Sequence, residues 1–108
     1  MEELKDLHCH PVKAGTPPMT EPEVTSYQKR LKTTWQIKEM RKISKEFTYN
    51  DFMKGMSFAK EVAMLAEKED HHPVICIHYD HVVVELETHS IMGLSENDFI
   101  MAAKIDAI

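Results

Sequence analysis

Two adjacent histidines, His71 and His72, and a third, His89, are the residues of this 108-residue chain whose types and spacing indicate chemistry. The first two follow a helix-like run, and the third ends two strand-like runs. Histidine has an ordinary pKa of about 6.5, so it can give or take a proton near neutral pH. Histidines around one pocket can protonate a leaving oxygen while another group removes a proton elsewhere. The pattern therefore predicts an acid/base site.

A tight hairpin is predicted to bring these histidines together. Residues 74–79 and 82–88 are rich in β-branched side chains and meet at Asp80-His81. If those two residues form the loop, antiparallel pairing places His72 opposite His89, and the histidines share the open end of the hairpin. Alternation along the two strands then gives one apolar face, formed by Ile75, Ile77, Tyr79, Val82, Val84 and Leu86.

Three segments carry helix start signals. Thr20, followed by Glu23, forms a capping box before a short helix that we expect to end near residue 32. Asn50 can cap a long helix to about residue 68, in which small and apolar residues form one stripe. Ser95 opens the last helix, with Asp98 at the third position.

The remaining segments complete the predicted fold. Residues 35–40 and 42–48 have alternating apolar positions and form a first hairpin. The order helix, two strands, helix, two strands, helix predicts a two-layer α+β domain, with a four-stranded antiparallel sheet and helices on one face. Residues 1–18 lack periodicity and are predicted to be a flexible N-terminal extension of a domain over 19–108. His8-Cys9-His10 could bind metal there, but so compact a group of ligands in a flexible tail favours adventitious binding.

Composition and charge exclude several classes of function. The net charge of −5 argues against a broad phosphate-binding surface and hence against direct nucleic-acid binding. No apolar run approaches the roughly 18 residues of a membrane span, and the start lacks a signal-peptide core. We therefore expect a cytoplasmic or nucleocytoplasmic protein. Cys9 and Cys76 are expected to be free thiols.

The residues alone leave three interpretations of the histidines open. They form an acid/base site, bind a metal, or merely pack. Glu67, Asp70 and Glu87 could orient the rings or bind polar edges of a ligand. Adjacent histidines do not normally ligate one metal together, and neither HExxH nor CxxC occurs. The spacing therefore favours acid/base chemistry without a metal.

A longer pattern joins the histidines to the residues around them. Its members are Glu67, His71-His72-Pro73, Tyr79, His89 and Asp98, within the segments AEKEDHHP and THSIMGLSENDF, and the single Trp35 stands at the start of the first hairpin. This pattern resembles that of the pterin-4a-carbinolamine dehydratase family, over roughly Thr20 to Ile108.

The resemblance implies an activity and a set of site residues. Members of the family remove water from 4a-hydroxytetrahydropterin, formed when hydroxylases use tetrahydrobiopterin, and yield quinonoid dihydropterin. No resident cofactor is implied. By analogy, the catalytic residues are His71, His72 and His89, and the pterin pocket is lined by Glu67, Asp70 and Thr88. Asp98 matches the motif as a further substrate-binding position, although its capping position is a sufficient structural reason for it.

The resemblance also implies an alternative function and departures from the family. Some members are dimerisation cofactors of a transcription factor, and others are assembly factors with a degraded active site. Dimers or tetramers are common, and an exposed apolar strip of Val74, Cys76 and Val83 is predicted to form part of the contact. Ile75 stands where members often have an aromatic residue. Glu87 stands where they often have a small hydroxyl residue, which adds a carboxylate to the polar face of the predicted sheet.

Overall fold

The computed structural model describes residues 2–108 and contains three helices and four strands. The helices are α1 (Glu21–Gln28), α2 (Phe52–Glu69) and α3 (Glu96–Asp106), and the strands are β1 (Gln36–Lys38), β2 (Lys42–Thr48), β3 (Val74–Ile77) and β4 (His81–Leu86). The strands form one antiparallel sheet in the order β1-β2-β4-β3. This arrangement confirms the predicted α+β class and the predicted order of elements.

The helices pack on one face of the sheet, because buried and partly exposed residues alternate strictly along β4. Val82, Val84 and Leu86 are completely buried, whereas the residues between them are partly exposed. The core they enter also contains the indole of Trp35, whose N–H donates to Asp106 at 3.0 Å. Within residues 2–108 no helix is long and apolar enough to cross a membrane.

Side-chain caps define the helix starts. Glu23 and Thr20 form the predicted capping box, but α1 ends at Gln28, four residues earlier than expected, because the chain continues in tighter turns. Asp51 caps α2, not Asn50: its carboxylate accepts from Met53 N–H at 3.2 Å. Both residue types are good caps, so composition did not distinguish them.

The register of the second hairpin was predicted wrongly by two residues. Ile77 pairs with Val82, and the His78 N–H donates to the His81 carbonyl at 2.8 Å, so the loop is Tyr79-Asp80. The Asp80 carboxylate also accepts from the His81 ring. A shift of two residues leaves each side chain on the same face, so the apolar pattern does not detect it. Pairing ends at Val74, and His72 does not pair with His89.

The N-terminal segment lies against the helical layer. Leu4, in a short 3-10 turn (Leu4–Asp6), is 2% exposed and belongs to the core cluster. Residues 8–10 then contact the ends of α2 and α3 that face the histidines. The flexibility of residues 1–18, and a domain boundary at residue 19, stay predictions.

Candidate active site

The three predicted histidines line one cavity of about 250 Å³. It lies where the end of α2, the segment after β4 and the start of α3 meet. Its walls are formed by His10, Pro11, Val12, Asp70, His71, His72, Glu87, Thr88, His89, Ser90 and Asn97. A larger cavity of about 410 Å³ near Leu4 and Asp106 contains no histidine, so chemistry and not size identifies the candidate site.

The end of α2 sets the directions of His71 and His72. Asp70 ends the helix in the left-handed conformation, at φ 52° and ψ 44°, and its N–H donates to the Ala66 carbonyl. Aspartate tolerates this conformation better than most residues. Pro73 disfavours helical geometry at His72, so the chain leaves the helix extended. The rings of His71 and His72 consequently contact different side chains.

His71 points toward α3 and is held by a buried carboxylate. Its Nε2 lies 2.7 Å from Oδ1 of Asp98, a side chain that is fully buried. The second carboxylate oxygen, Oδ2, accepts from the Thr88 hydroxyl at 2.9 Å and from the Ser95 N–H at 3.0 Å. Asp98 therefore caps α3 and holds the His71 ring at the same time. Both of its oxygens are occupied by protein groups.

His72 and His89 are more exposed than His71. The side chain of His72 is 56% exposed, and its Nε2 is hydrogen-bonded to the Glu67 carboxylate. Glu67 lies outside the cavity wall, so it contacts the site through His72. An exposed pair of this kind contributes little stability but can orient the ring.

Glu87 lies beside His89. Its Oε1 is 3.6 Å from the His89 Nδ1, and its Oε2 accepts from the Arg41 guanidinium at 3.1 Å. Thr88, the residue between them, is 5% exposed and its N–H donates to the Gly93 carbonyl at 2.8 Å. This pairing closes the turn that carries His89. The carboxylate that departs from the family pattern thus lies in the cavity wall.

Two groups behind the cavity have shifted pKa values. Burial, together with the nearby Glu69 and Asp98 charges, raises the pKa of the Cys9 thiol to about 12. Burial also pushes the pKa of Glu69 upward. The Cys9 N–H, His8 and Lys104 outweigh burial and hold that pKa below its usual value. Cys9 is therefore a neutral thiol and Glu69 a carboxylate near neutral pH.

The sequence did not predict that the N-terminal segment reaches this cavity. His10, Pro11 and Val12 fall in the segment that is predicted to be a flexible extension, and no sequence signal points to Asn97. The His10–Asn97 contact joins residues 87 positions apart, and no local pattern encodes it. Leu4 and Leu7, which pack on the core, were the available signal that the segment docks. Within the described range no three His, Cys, Asp or Glu side chains converge to hold a metal ion.

Comparison with known proteins identifies relatives with the same fold. The family model described as pterin 4 alpha carbinolamine dehydratase matches residues 17–108. A Nitrosomonas eutropha protein, provisionally named a pterin-4-alpha-carbinolamine dehydratase, is 41% identical over 98% of this chain and 93% of its own length. A transcriptional coactivator/pterin dehydratase from Brucella melitensis superimposes with a TM-score of 0.77 and 36% identity, covering 83% of this chain and 96% of that one. A pterin dehydratase-like RuBisCO assembly factor of the alpha-carboxysome shares the fold, at a TM-score of 0.61 and 23% identity over 70% of this chain and 89% of its own.

Proposed function

We infer that this chain, which belongs to the pterin-4a-carbinolamine dehydratase family, removes water from a 4a-hydroxytetrahydropterin and yields the quinonoid dihydropterin. The observation that carries this proposal is the His71–Asp98 pair in a cavity that His72 and His89 also line. A buried carboxylate behind one histidine, with two solvent-accessible histidines nearby, suits a reaction that needs both a base and an acid.

The reaction requires two proton transfers. One group removes the proton on N5, and the electrons of that N–H bond form the double bond between N5 and C4a. The C4a–O bond breaks as a second group protonates the hydroxyl, which leaves as water. The atoms balance with no oxidant, reductant or metal. We propose that the reaction serves the recycling of tetrahydrobiopterin.

His71 is the proposed base. Asp98 accepts a hydrogen bond from Nε2–H of His71, which leaves Nδ1 as the lone-pair nitrogen of a neutral ring. A buried carboxylate also stabilises the imidazolium that forms when the ring takes a proton. His72 or His89 then supplies the proton to the departing hydroxyl. Asp70 and Thr88 are assigned to the substrate pocket, and Glu67 and Asp98 act through the histidines they hold.

A binding role is the second candidate, and exposed apolar residues favour it. On α2 the residues Met53 and Met64 are 64% and 63% exposed, and Val74 on the edge strand β3 is 49% exposed. Large exposed apolar surface is typical of a contact with another protein. The Brucella relative carries both a coactivator and a dehydratase description. We propose a dimer or tetramer as the first use of this surface, which light scattering of the purified protein would test.

The decay of chemically generated 4a-hydroxytetrahydropterin tests the catalytic proposal. Intact protein should accelerate it near neutral pH, and His71→Ala, His72→Ala and His89→Ala should each lower kcat by roughly 10²-fold or more. His78→Ala, on the hairpin tip outside the cavity, is the matched control and should retain activity. Folded intact protein without acceleration would contradict the catalytic role and leave the binding role as the better account.

A further inference from the structure

One wall of the cavity is formed by residues that precede the segment matched by the family model. His10, Pro11 and Val12 line the cavity, whereas the match begins at residue 17. These three residues lie about 60 or more positions from the first histidine of the site. Their place in the wall therefore depends on tertiary contacts, and three polar side chains supply them.

Glu69, the last residue of α2, holds the start of this wall. Its carboxylate is 3% exposed, accepts from the Cys9 N–H at 2.8 Å and lies 2.9 Å from the His8 ring. The Lys104 ammonium, 3.8 Å away, balances the charge. A buried carboxylate is costly unless it is paired in this way, so the contact fixes the chain firmly.

Asn97 and Ser90 hold the next residues by their backbone. The Asn97 side chain accepts from the His10 N–H at 3.1 Å and donates to the His10 carbonyl at 2.6 Å. The Ser90 hydroxyl donates to the Val12 carbonyl at 2.8 Å. Both peptide groups of His10 are thereby satisfied by one amide, as in a strand pair.

Each anchor is close in sequence to a residue of the proposed active site. Glu69 lies two residues before His71, and Ser90 directly follows His89. Asn97 directly precedes Asp98, the carboxylate that holds the His71 ring. The three elements that carry the catalytic groups thus also carry the anchors, and the position of the wall is fixed relative to the histidines.

The residues of the N-terminal segment differ in exposure to solvent. Cys9 is half-buried, with its thiol directed at the Asn97 carbonyl, and it provides the packing contact. His10 and Pro11 are exposed although their backbone is held on both sides. Packing alone does not require three polar anchors for residues whose side chains stay outside the core. The arrangement is that of a fixed backbone presenting side chains to a cavity.

We propose that residues His10 to Val12 form a substrate-contacting wall of the pterin site, with Asn97, Ser90 and Glu69 as its positioning residues. The proposal deepens the proposed function and rests on it for the identity of the ligand. His10 supplies an imidazole for the polar edge of the ring system, and Pro11 and Val12 supply apolar contact. The wall acts on binding, because the proton transfers are assigned to other histidines.

Steady-state kinetics of His10→Ala, with Lys13→Ala as the control in the same segment, tests the wall. His10→Ala should raise KM about fivefold, the equivalent of one lost hydrogen bond of about 1 kcal/mol, with kcat within about twofold. Lys13 is exposed and outside this cavity wall, so its variant should behave as the parent. An unchanged KM in folded His10→Ala would overturn the proposal.

Asn97→Ala and the double variant separate a positioning role from general loss of stability. If Asn97 acts by holding His10, Asn97→Ala should raise KM severalfold. The double variant, which combines Asn97→Ala with His10→Ala, should then have a KM close to that of either single variant, not one raised by the product of the two factors. Multiplicative effects on KM would contradict positioning through His10.

Binding of 7,8-dihydropterin, followed by fluorescence quenching, keeps the two proposals distinguishable. This probe retains the bicyclic ring but has no 4a-hydroxyl to lose. If intact protein binds it and His10→Ala binds it about fivefold more weakly, the wall is supported even if no dehydration is catalysed. Catalysis with equal affinities of parent and His10→Ala for the probe would refute the wall and leave the dehydratase proposal standing.

Discussion

Oδ1 of Asp98 lies 2.7 Å from Nε2 of His71, across 27 positions of sequence, and the carboxylate is fully buried. The contact joins the first turn of α3 to the second residue after the end of α2. Because the same carboxylate caps α3, the position of the His71 ring is tied to the start of a helix. A general base needs a fixed ring and a defined tautomer, and the proposal that His71 is the base rests on this pair.

Asp98→Asn is expected to lower kcat at least about tenfold while KM changes less, because the amide can no longer stabilise a positively charged His71 ring. A loss of about 1 kcal/mol in the free energy of unfolding should accompany it, since the capping box is weakened. Kinetics and urea unfolding measure the two effects separately. Asp80→Asn, on the hairpin tip, is the control. A kcat within twofold of the parent would exclude Asp98 from the mechanism.

Substitutions of Asp70 should have different effects on the stability of the fold and on binding of the pterin. Its left-handed conformation, at φ 52°, costs a non-glycine residue about 1 kcal/mol, so Asp70→Gly should leave the fold equally stable or up to about 1 kcal/mol more stable. The same change removes a carboxylate from the cavity and should weaken 7,8-dihydropterin binding. Asp70→Ala, which keeps the strain, should lose binding without the gain in stability. Unaltered binding in both variants would remove Asp70 from the substrate pocket.

The two cysteines should differ sharply in reactivity. Both are free, as predicted, but Cys76 is exposed whereas Cys9 is half-buried with its pKa raised to about 12 by burial and neighbouring carboxylates. Because the thiolate is the reactive form, iodoacetamide at about pH 8 should label Cys76 and spare Cys9 in the folded protein. Mass spectrometry of the labelled peptides measures this, and labelling in urea shows that both thiols can react. Rapid labelling of Cys9 in the native state would show that the N-terminal segment opens readily.

The pKa of Glu69 predicts a contribution to acid sensitivity. Its folded-state pKa lies below the ordinary 4.5, because hydrogen bonds and Lys104 outweigh burial. The unfolded chain therefore takes up this proton first as the pH falls. The stabilisation is complete above the unfolded-state pKa and is lost as the pH falls from there through the folded-state pKa.

Glu69→Gln should consequently lose less stability than the parent between neutral pH and about pH 3. Urea unfolding at both pH values gives the comparison, and Glu61→Gln, an exposed change on the same helix, serves as reference. Parallel acid losses in parent and Glu69→Gln would show that the pairing of Glu69 does not affect the pH dependence.

The fold was predictable where the sequence carries local signals. The capping boxes at Thr20 and Ser95 and the alternation along β4 act over a few residues, and the structure confirms them. The register of the second hairpin was not predictable to better than two residues. Apolar alternation has a period of two, so it does not distinguish registers that differ by two residues. The backbone hydrogen bond between His78 and His81 fixes the loop, but it does not change the order of apolar and polar residues.

The candidate site was predictable only in part. His71, His72 and His89 line one cavity, as predicted, although the pairing of His72 with His89 on which that prediction rested is absent. The wall from His10 to Val12 was missed because its anchors lie 60 to 87 positions away and are polar, so no periodicity records them. Long-range hydrogen bonds to the backbone carry no sequence pattern of their own.

The most direct test of the central claim is the rate at which 4a-hydroxytetrahydropterin disappears near neutral pH, with product followed by its quinonoid absorbance. We predict that intact protein accelerates this loss of water, and that His71→Ala, folded by circular dichroism, lowers kcat by roughly 10²-fold or more. A His71→Ala variant as active as the parent would contradict the assignment of the base. An intact, folded protein with no effect on the decay would contradict the dehydratase function itself.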